Sequence, residues 1–247
     1  MKNIVSNPYE IKSTIMNTYD MIKYWDDNLV EQHVGSELNV ITDYFRTKNK
    51  KSNIVYLDIG ANSGKYYDVL ARSFIIDHAI MVEASQSLYD YLVIKFKNNN
   101  VNIYNLILSD INEMTSFADI DFSYVSDINS ANFGLSKIYK SDNNNRQQTS
   151  SETFFENYIL QNNIHILDLI KIDTENRDYE ILKSLTHTIS KLKNQPLICF
   201  EHNYQGSMTQ DEAQSILNNF TNINHYIPIN IGDITWSAVF LYPQVLQ

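Results

Sequence analysis

The stretch Ile54-Val55-Tyr56-Leu57-Asp58-Ile59-Gly60-Ala61-Asn62-Ser63-Gly64 limits what this chain can become. Its first six residues are β-branched, aromatic or apolar apart from Asp58, the mark of a buried strand. A small-residue turn, Gly60 to Gly64, follows. Tyr66 to Arg72 then has helical spacing. Strand, tight turn and helix make the first unit of a doubly wound α/β sheet, in which ligands lie at the carboxyl ends of the strands.

The turn also restricts the ligand. Gly60 can adopt backbone angles closed to other residues, and both glycines let a ligand approach the main chain. A dinucleotide site asks for Gly-x-Gly-x-x-Gly, which seats a pyrophosphate on the helix N-terminus. Asn62 stands where that fingerprint needs glycine, and Asp58 precedes the turn. An acid there disfavours a pyrophosphate and favours a ligand with a cationic part. S-adenosylmethionine carries an ammonium and a sulfonium. The plain alternative is a βα turn that binds nothing.

With 247 residues the chain can bury the core of one large α/β domain. The formal net charge of −10 argues against non-specific nucleic-acid binding, which needs lysine and arginine to neutralise phosphates. No apolar run approaches the roughly 20 residues that span a membrane. Met1 to Glu10 lacks the apolar core of a signal peptide. The single cysteine, Cys199, excludes an internal disulfide framework and a cysteine-based zinc site. A cytoplasmic setting fits these features.

Residues 1–52 read as a helical extension or cap. Tyr19, Ile22, Trp25 and Leu29 recur at helical spacing, as do Leu38, Ile41, Tyr44 and Phe45, with a polar break over Glu31 to Glu37. Residues 53–247 read as the α/β domain. A second strand ends in Glu83, placed to accept both hydroxyls of an adenosine ribose. Gln86 to Lys97 is a helix. A third strand, Val101 to Leu108, ends in Ser109-Asp110, a polar pair able to hold an adenine amine. Phe117 to Val125 adds an extended piece, and Lys140 to Gln148 reads as a polar loop. A helix over Ser151 to Gln161 takes Ser151 as its cap. The fourth strand, Leu167 to Ile172, runs into Asp173-Thr174-Glu175-Asn176. The fifth, Pro196 to Phe200, runs into Glu201-His202-Asn203. A helix over Thr209 to Phe220 precedes an antiparallel pair, Ile223 to Ile229 and Trp236 to Tyr242. Together these make a Rossmann-like, mostly parallel seven-stranded sheet with an antiparallel C-terminal pair.

The chain resembles the FkbM-type methyltransferases, a branch of the S-adenosylmethionine-dependent class I fold. Asp58-Ile59-Gly60-Ala61-Asn62-Ser63-Gly64 looks like the family's first motif, Val82-Glu83 its second and Leu108-Ser109-Asp110 its third. Leu169-Ile170-Lys171-Ile172-Asp173-Thr174-Glu175 looks like its Ile-Lys-Ile-Asp-Val-Glu-Gly signature, with Asn176 in place of the glycine. Ala84 replaces a proline that often follows the second-strand glutamate. Neither departure touches the carboxylates. The resemblance covers about residues 53–205. It implies O-methylation of a hydroxyl on a sugar, glycan or small natural product.

On this reading Asp58, Gly60, Asn62, Gly64, Glu83, Ser109 and Asp110 hold S-adenosylmethionine. The acceptor lies beyond the fourth and fifth strands. Asp173 or His202 is the base, and Glu175 orients the loop or substrate. His202 titrates near neutrality if unperturbed. The family pattern demands no metal, although Asp173 with Glu201 or Asn203 could offer oxygens to Mg²⁺. Two other readings stay open: an RNA 2′-O-methyltransferase, and a non-catalytic module that keeps the fold and the cofactor.

Overall fold

The structure, a computed structural model, describes residues 32–50, 52–112, 114–116, 145–174, 177–201, 208–232 and 237–244. The expected first N-terminal helix, the extended piece at Phe117 to Val125, residues 140–144 and the residues Glu175, Asn176, His202 and Asn203 lie outside these. The strands are β1 Ile54–Ile59, β2 Ile76–Val82, β3 Val101–Tyr104, β4 Ile107–Ser109, β5 Met114–Ser116, β6 Asn145–Ser150, β7 Leu169–Ile172, β8 Leu197–Glu201, β9 Tyr226–Gly232 and β10 Ser237–Pro243. The helices are α1 Gln32–Thr47, α2 Lys65–Ser73, α3 Gln86–Lys95, α4 Ser151–Phe154, α5 Asp178–Leu185 and α6 Gln210–Ile223.

A seven-stranded sheet runs in the order β3-β2-β1-β7-β8-β10-β9. β1 pairs in parallel with β2 and β7, and β7 with β8. β10 is antiparallel to β8 and β9. Both faces of the sheet are covered, and the side chains sort by the strand's period of two. Leu57, Ile59, Ile170, Ile172, Ile198 and Phe200 enter one core with the helices α5 and α6. Ile54, Tyr56, Leu169, Leu197 and Cys199 enter the other with Ile41 and Phe45 of α1 and Leu70 of α2. No helix among the described residues is long and apolar enough to cross a membrane.

Four local expectations need correction. The third strand is not continuous to Leu108: it stops at Tyr104, and the chain re-forms as β4 in a separate three-stranded sheet, β4-β6-β5. Asn105 causes the break, because its side-chain amide donates to the carbonyls of Glu83 and Ala84 at 2.9 and 3.1 Å and so fastens this turn to the end of β2. Residues 145–148 are not loop but part of β6, which pairs in parallel with β4 and antiparallel with β5. The cap of the following helix is Ser150, whose hydroxyl accepts from the Thr153 amide at 3.1 Å. Ser151 instead donates to the Ser109 carbonyl at 3.2 Å. That helix widens into a π turn over Phe155–Leu160, where the Gln161 amide reaches the Glu156 carbonyl. Finally, the polar break expected up to Glu37 is the first part of α1.

Candidate functional site

The Gly60–Gly64 turn is built from left-handed residues: φ is +80° at Gly60, +52° at Asn62 and +76° at Gly64. A Cβ on Gly60 would lie 1.9 Å from the Asp173 carbonyl oxygen, and one on Gly64 would lie 2.5 Å from the Phe96 ring. Both glycines are therefore required by the protein's own packing, before any ligand arrives. The amides of Gly60 and Ala61 both donate to the Val82 carbonyl, at 2.9 and 3.1 Å. The Asp173 amide donates to Ile59 at 2.9 Å. These bonds bring the ends of β1, β2 and β7 together.

Glu83 lies against this turn. Its Oε2 accepts from the Asn62 amide at 2.7 Å, and its Oε1 accepts from the Ser85 amide at 2.8 Å. A carboxylate oxygen has a second lone pair, so both remain able to accept a hydroxyl. Burial pushes this carboxyl up to about 7 against the pull of the two amides. Glu83, Asn62 and the turn are thus assembled as one unit.

Asp58 is placed differently. It is wholly buried, and the cation it faces is the protein's own: Lys171 Nζ lies 3.3 Å from its Oδ1. Asp58 and Lys171 are register partners across β1 and β7, and Lys171 and Cys199 are partners across β7 and β8. The three side chains stand side by side on the sheet face that α1 and α2 cover. Lys171 also donates to the Gly60 carbonyl at 2.9 Å, lies 3.3 Å from Asp173 Oδ2, and sits 5.6 Å from the centre of the Tyr66 ring. The surrounding carboxylates, Asp173 first, raise its ammonium above the ordinary lysine range against burial, so it stays charged. Burial lifts Asp58 above the ordinary carboxyl range even beside this cation.

Asp173 is the open end of the cluster, with its side chain 46% exposed. Beyond it, Asp178 at the start of α5 accepts from the Thr174 amide and hydroxyl at 2.8 and 2.6 Å through Oδ1, and from the Glu201 amide at 3.0 Å through Oδ2. It staples the ends of β7 and β8 together. Burial and the nearby Asp173 push Asp178 up to about 6. The same two causes, with Asp178 added, push Glu201 up to about 7.

Ser109 ends β4 of the small sheet rather than β3, and Asp110 follows it. Asp110 Oδ2 pairs with Lys183 of α5 at 2.8 Å. Among the described residues, no group of three or more His, Cys, Asp or Glu side chains is placed to hold a metal ion.

Lys171, Glu37 and Asp178 are the site residues that the motif spacing does not single out. A signal for Lys171 was present: a lysine inside the apolar run Leu169–Ile172, in a sheet buried on both faces, needs a partner. Asp178 lies five residues past Asp173 at a helix start, where an acid also serves as an ordinary cap. Glu37 reaches the site from α1, a contact that no local pattern encodes.

The profile of the methyltransferase FkbM domain matches residues 58–226. No curated protein matches the sequence significantly. Among solved structures, an rRNA-methylase candidate from Clostridium thermocellum is 8% identical, with 88% of this chain aligned to 99% of that one at a TM-score of 0.50. Magnesium protoporphyrin IX methyltransferase from Synechocystis, solved with bound S-adenosylmethionine, is 10% identical over 98% of this chain and 100% of that one, TM-score 0.48. Fibrillarin from Aeropyrum pernix, with natively bound S-adenosylmethionine, is 9% identical over 77% and 67%, TM-score 0.46. The likeness to the Clostridium protein is one of fold.

Proposed function

The chain belongs to the FkbM methyltransferase-domain family, and from that premise we propose that it moves a methyl group from S-adenosylmethionine to a hydroxyl of a sugar, glycan or small natural product. The observation that carries this reading is the Glu83 carboxylate, fixed by the amides of Asn62 and Ser85 beside a turn of left-handed residues. Such a carboxylate suits the two hydroxyls of a ribose. Gly60, Asn62, Gly64 and Glu83 would hold the cofactor. Ser109 and Asp110 would meet its base. Asp58 would act from behind, through Lys171.

When bound, the cofactor supplies an electrophilic methyl group. The chain's own task is to orient the acceptor oxygen and accept its proton. Asp173 supports that role best among the described residues: it ends β7 beside the cofactor turn, is half-exposed, and is held by Lys171. His202 and Glu175, in the adjoining segments, are proposed as its partners at the acceptor. The net charge of −10 speaks for a small or carbohydrate acceptor over RNA.

Two measurements test this. Calorimetry of the full chain should show saturable binding of S-adenosylmethionine and S-adenosylhomocysteine. Methyl-labelled cofactor offered with a panel of monosaccharides, glycans, phenolic natural products and capped RNA should label a hydroxyl of the first three classes. Absence of binding removes the cofactor assignment. Binding with label on RNA alone replaces the acceptor class, and binding with no label on any member favours a non-catalytic module.

A further inference from the structure

The N-terminal helix α1 adds a carboxylate to the site. Glu37 Oε2 lies 3.9 Å from the Cys199 thiol, on the sheet face where Asp58, Lys171 and Cys199 stand in a row. Its surroundings come from three other elements. Tyr66 of α2 and Cys199 of β8 face it directly, and Lys171 and Asp173, from β7 and its end, act on it through charge. Glu37 in turn acts on Glu201 at the end of β8 and on Tyr56 of β1. Asp58 of β1 lies against Lys171, and Asp178 of α5 accepts from the Thr174 and Glu201 amides at the ends of β7 and β8.

Counted as charges among the described residues, one ammonium serves several carboxylates. Lys171 is committed to Asp58, Asp173 and the Gly60 carbonyl. In a site of low dielectric the surplus acid is costly unless another positive charge enters or a proton is taken up. Methyl transfer changes that positive charge. The C–O bond forms, the C–S bond breaks with its electron pair going to sulfur, the sulfonium becomes a neutral thioether, and the hydroxyl proton is released. One positive charge leaves the cofactor and one proton appears.

We propose that Glu37 is the charge-balancing residue of the site, ionised while the sulfonium form of the cofactor is bound and protonated while the thioether form is bound. This rests on the cofactor reading above. Glu37 acts on the reaction through Lys171 and Asp173 and is a positioning residue. Burial and Asp173 push its carboxyl up to about 7, where one added positive charge is enough to expel the proton. Chain and cofactor together then carry the same net charge around Lys171 before and after transfer, and Asp173 keeps its partner in both states.

The test needs no acceptor. Calorimetry of the full chain at about pH 7, in two buffers of different ionisation enthalpy, counts the protons released on binding. S-adenosylmethionine should release more protons than S-adenosylhomocysteine. The affinity ratio between them should rise several-fold in favour of the sulfonium form between about pH 6 and 8. Glu37→Gln, isosteric and uncharged, should remove at least half of the difference in proton release while both ligands still bind. Equal release by the two ligands in the wild type overturns the proposal without any variant. So does a difference in Glu37→Gln that stays above half of the wild-type value. If the wild type binds neither ligand, the cofactor reading itself has failed, and that outcome is distinct from binding without differential release.

Discussion

Lys171 holds its ammonium 3.3 Å from the carboxylate of a fully buried Asp58, its register partner on the neighbouring strand. The pair lies beneath the Gly60–Gly64 turn, and Lys171 links it to the half-exposed Asp173. A charge that is paired inside a sheet costs several kcal/mol to strand, much more than an exposed one. This pair therefore ties the stability of the sheet to the geometry of the site.

Lys171→Met should lower unfolding free energy by about 3–5 kcal/mol, because Asp58 is left buried without its cation. The double variant Lys171→Met with Asp58→Asn should recover part of that loss. Urea denaturation of the single and double variants measures both. A single variant as stable as wild type would mean that Asp58 is neutral in the folded chain.

Glu83→Gln should weaken S-adenosylhomocysteine binding by roughly 10- to 100-fold, the worth of one or two hydrogen bonds to a charged group. The amide side chain presents only one acceptor to the Asn62 and Ser85 amides, so the turn loosens as well. Titration calorimetry reads the affinity. An unchanged dissociation constant would remove Glu83 from the cofactor site.

Gly60→Ala should cost about 2 kcal/mol or more, from positive φ and from a methyl group aimed at the Asp173 carbonyl. The ends of β1 and β7 must separate to admit it. Thermal unfolding should show the loss, and cofactor binding should fall with it. A stable variant that binds normally would contradict the packing described for the turn.

Stability should depend on pH in an unusual direction. Asp178 is raised to about 6, and Glu37, Glu83 and Glu201 to about 7, above ordinary values of 3.8 and 4.5. Between those limits the folded chain holds more protons than the unfolded one, so stability falls as pH rises. The ligand-free chain should melt a few degrees higher near pH 5 than near pH 8. Saturating S-adenosylmethionine should flatten the slope. Calorimetric scans across that range decide the sign; a slope rising with pH would show that these acids are ionised in the free fold.

Much of this was legible in the sequence because it is local. The strand, turn and helix at residues 54–73 follow from an apolar run and from two glycines whose positive φ and close packing exclude a side chain. The place of Glu83 beside the turn is legible because a strand end has a fixed place in a doubly wound sheet. The third strand reads as continuous because Tyr104, Leu106 and Leu108 remain apolar through the break, and the cause, Asn105 bonding back to β2, is a tertiary contact. Residues 145–148 read as loop because the whole of β6, Asn145–Ser150, is polar. A small sheet away from the main one can be built from such residues when its backbone finds partners. Glu37 is illegible for the same reason as Asn105: its contacts lie far along the chain, with Cys199 its partner across 162 positions.

Helix α1 has a practical corollary for anyone shortening this protein. Ile41 and Phe45 share one apolar cluster with Ile54, Tyr56, Phe74 and Leu197. A fragment begun at residue 53, the natural cut from motif boundaries, would bare those rings and admit water to Lys171. It should express as an aggregating or molten species, whereas a fragment that keeps residue 32 onward retains the lid over its innermost ion pair.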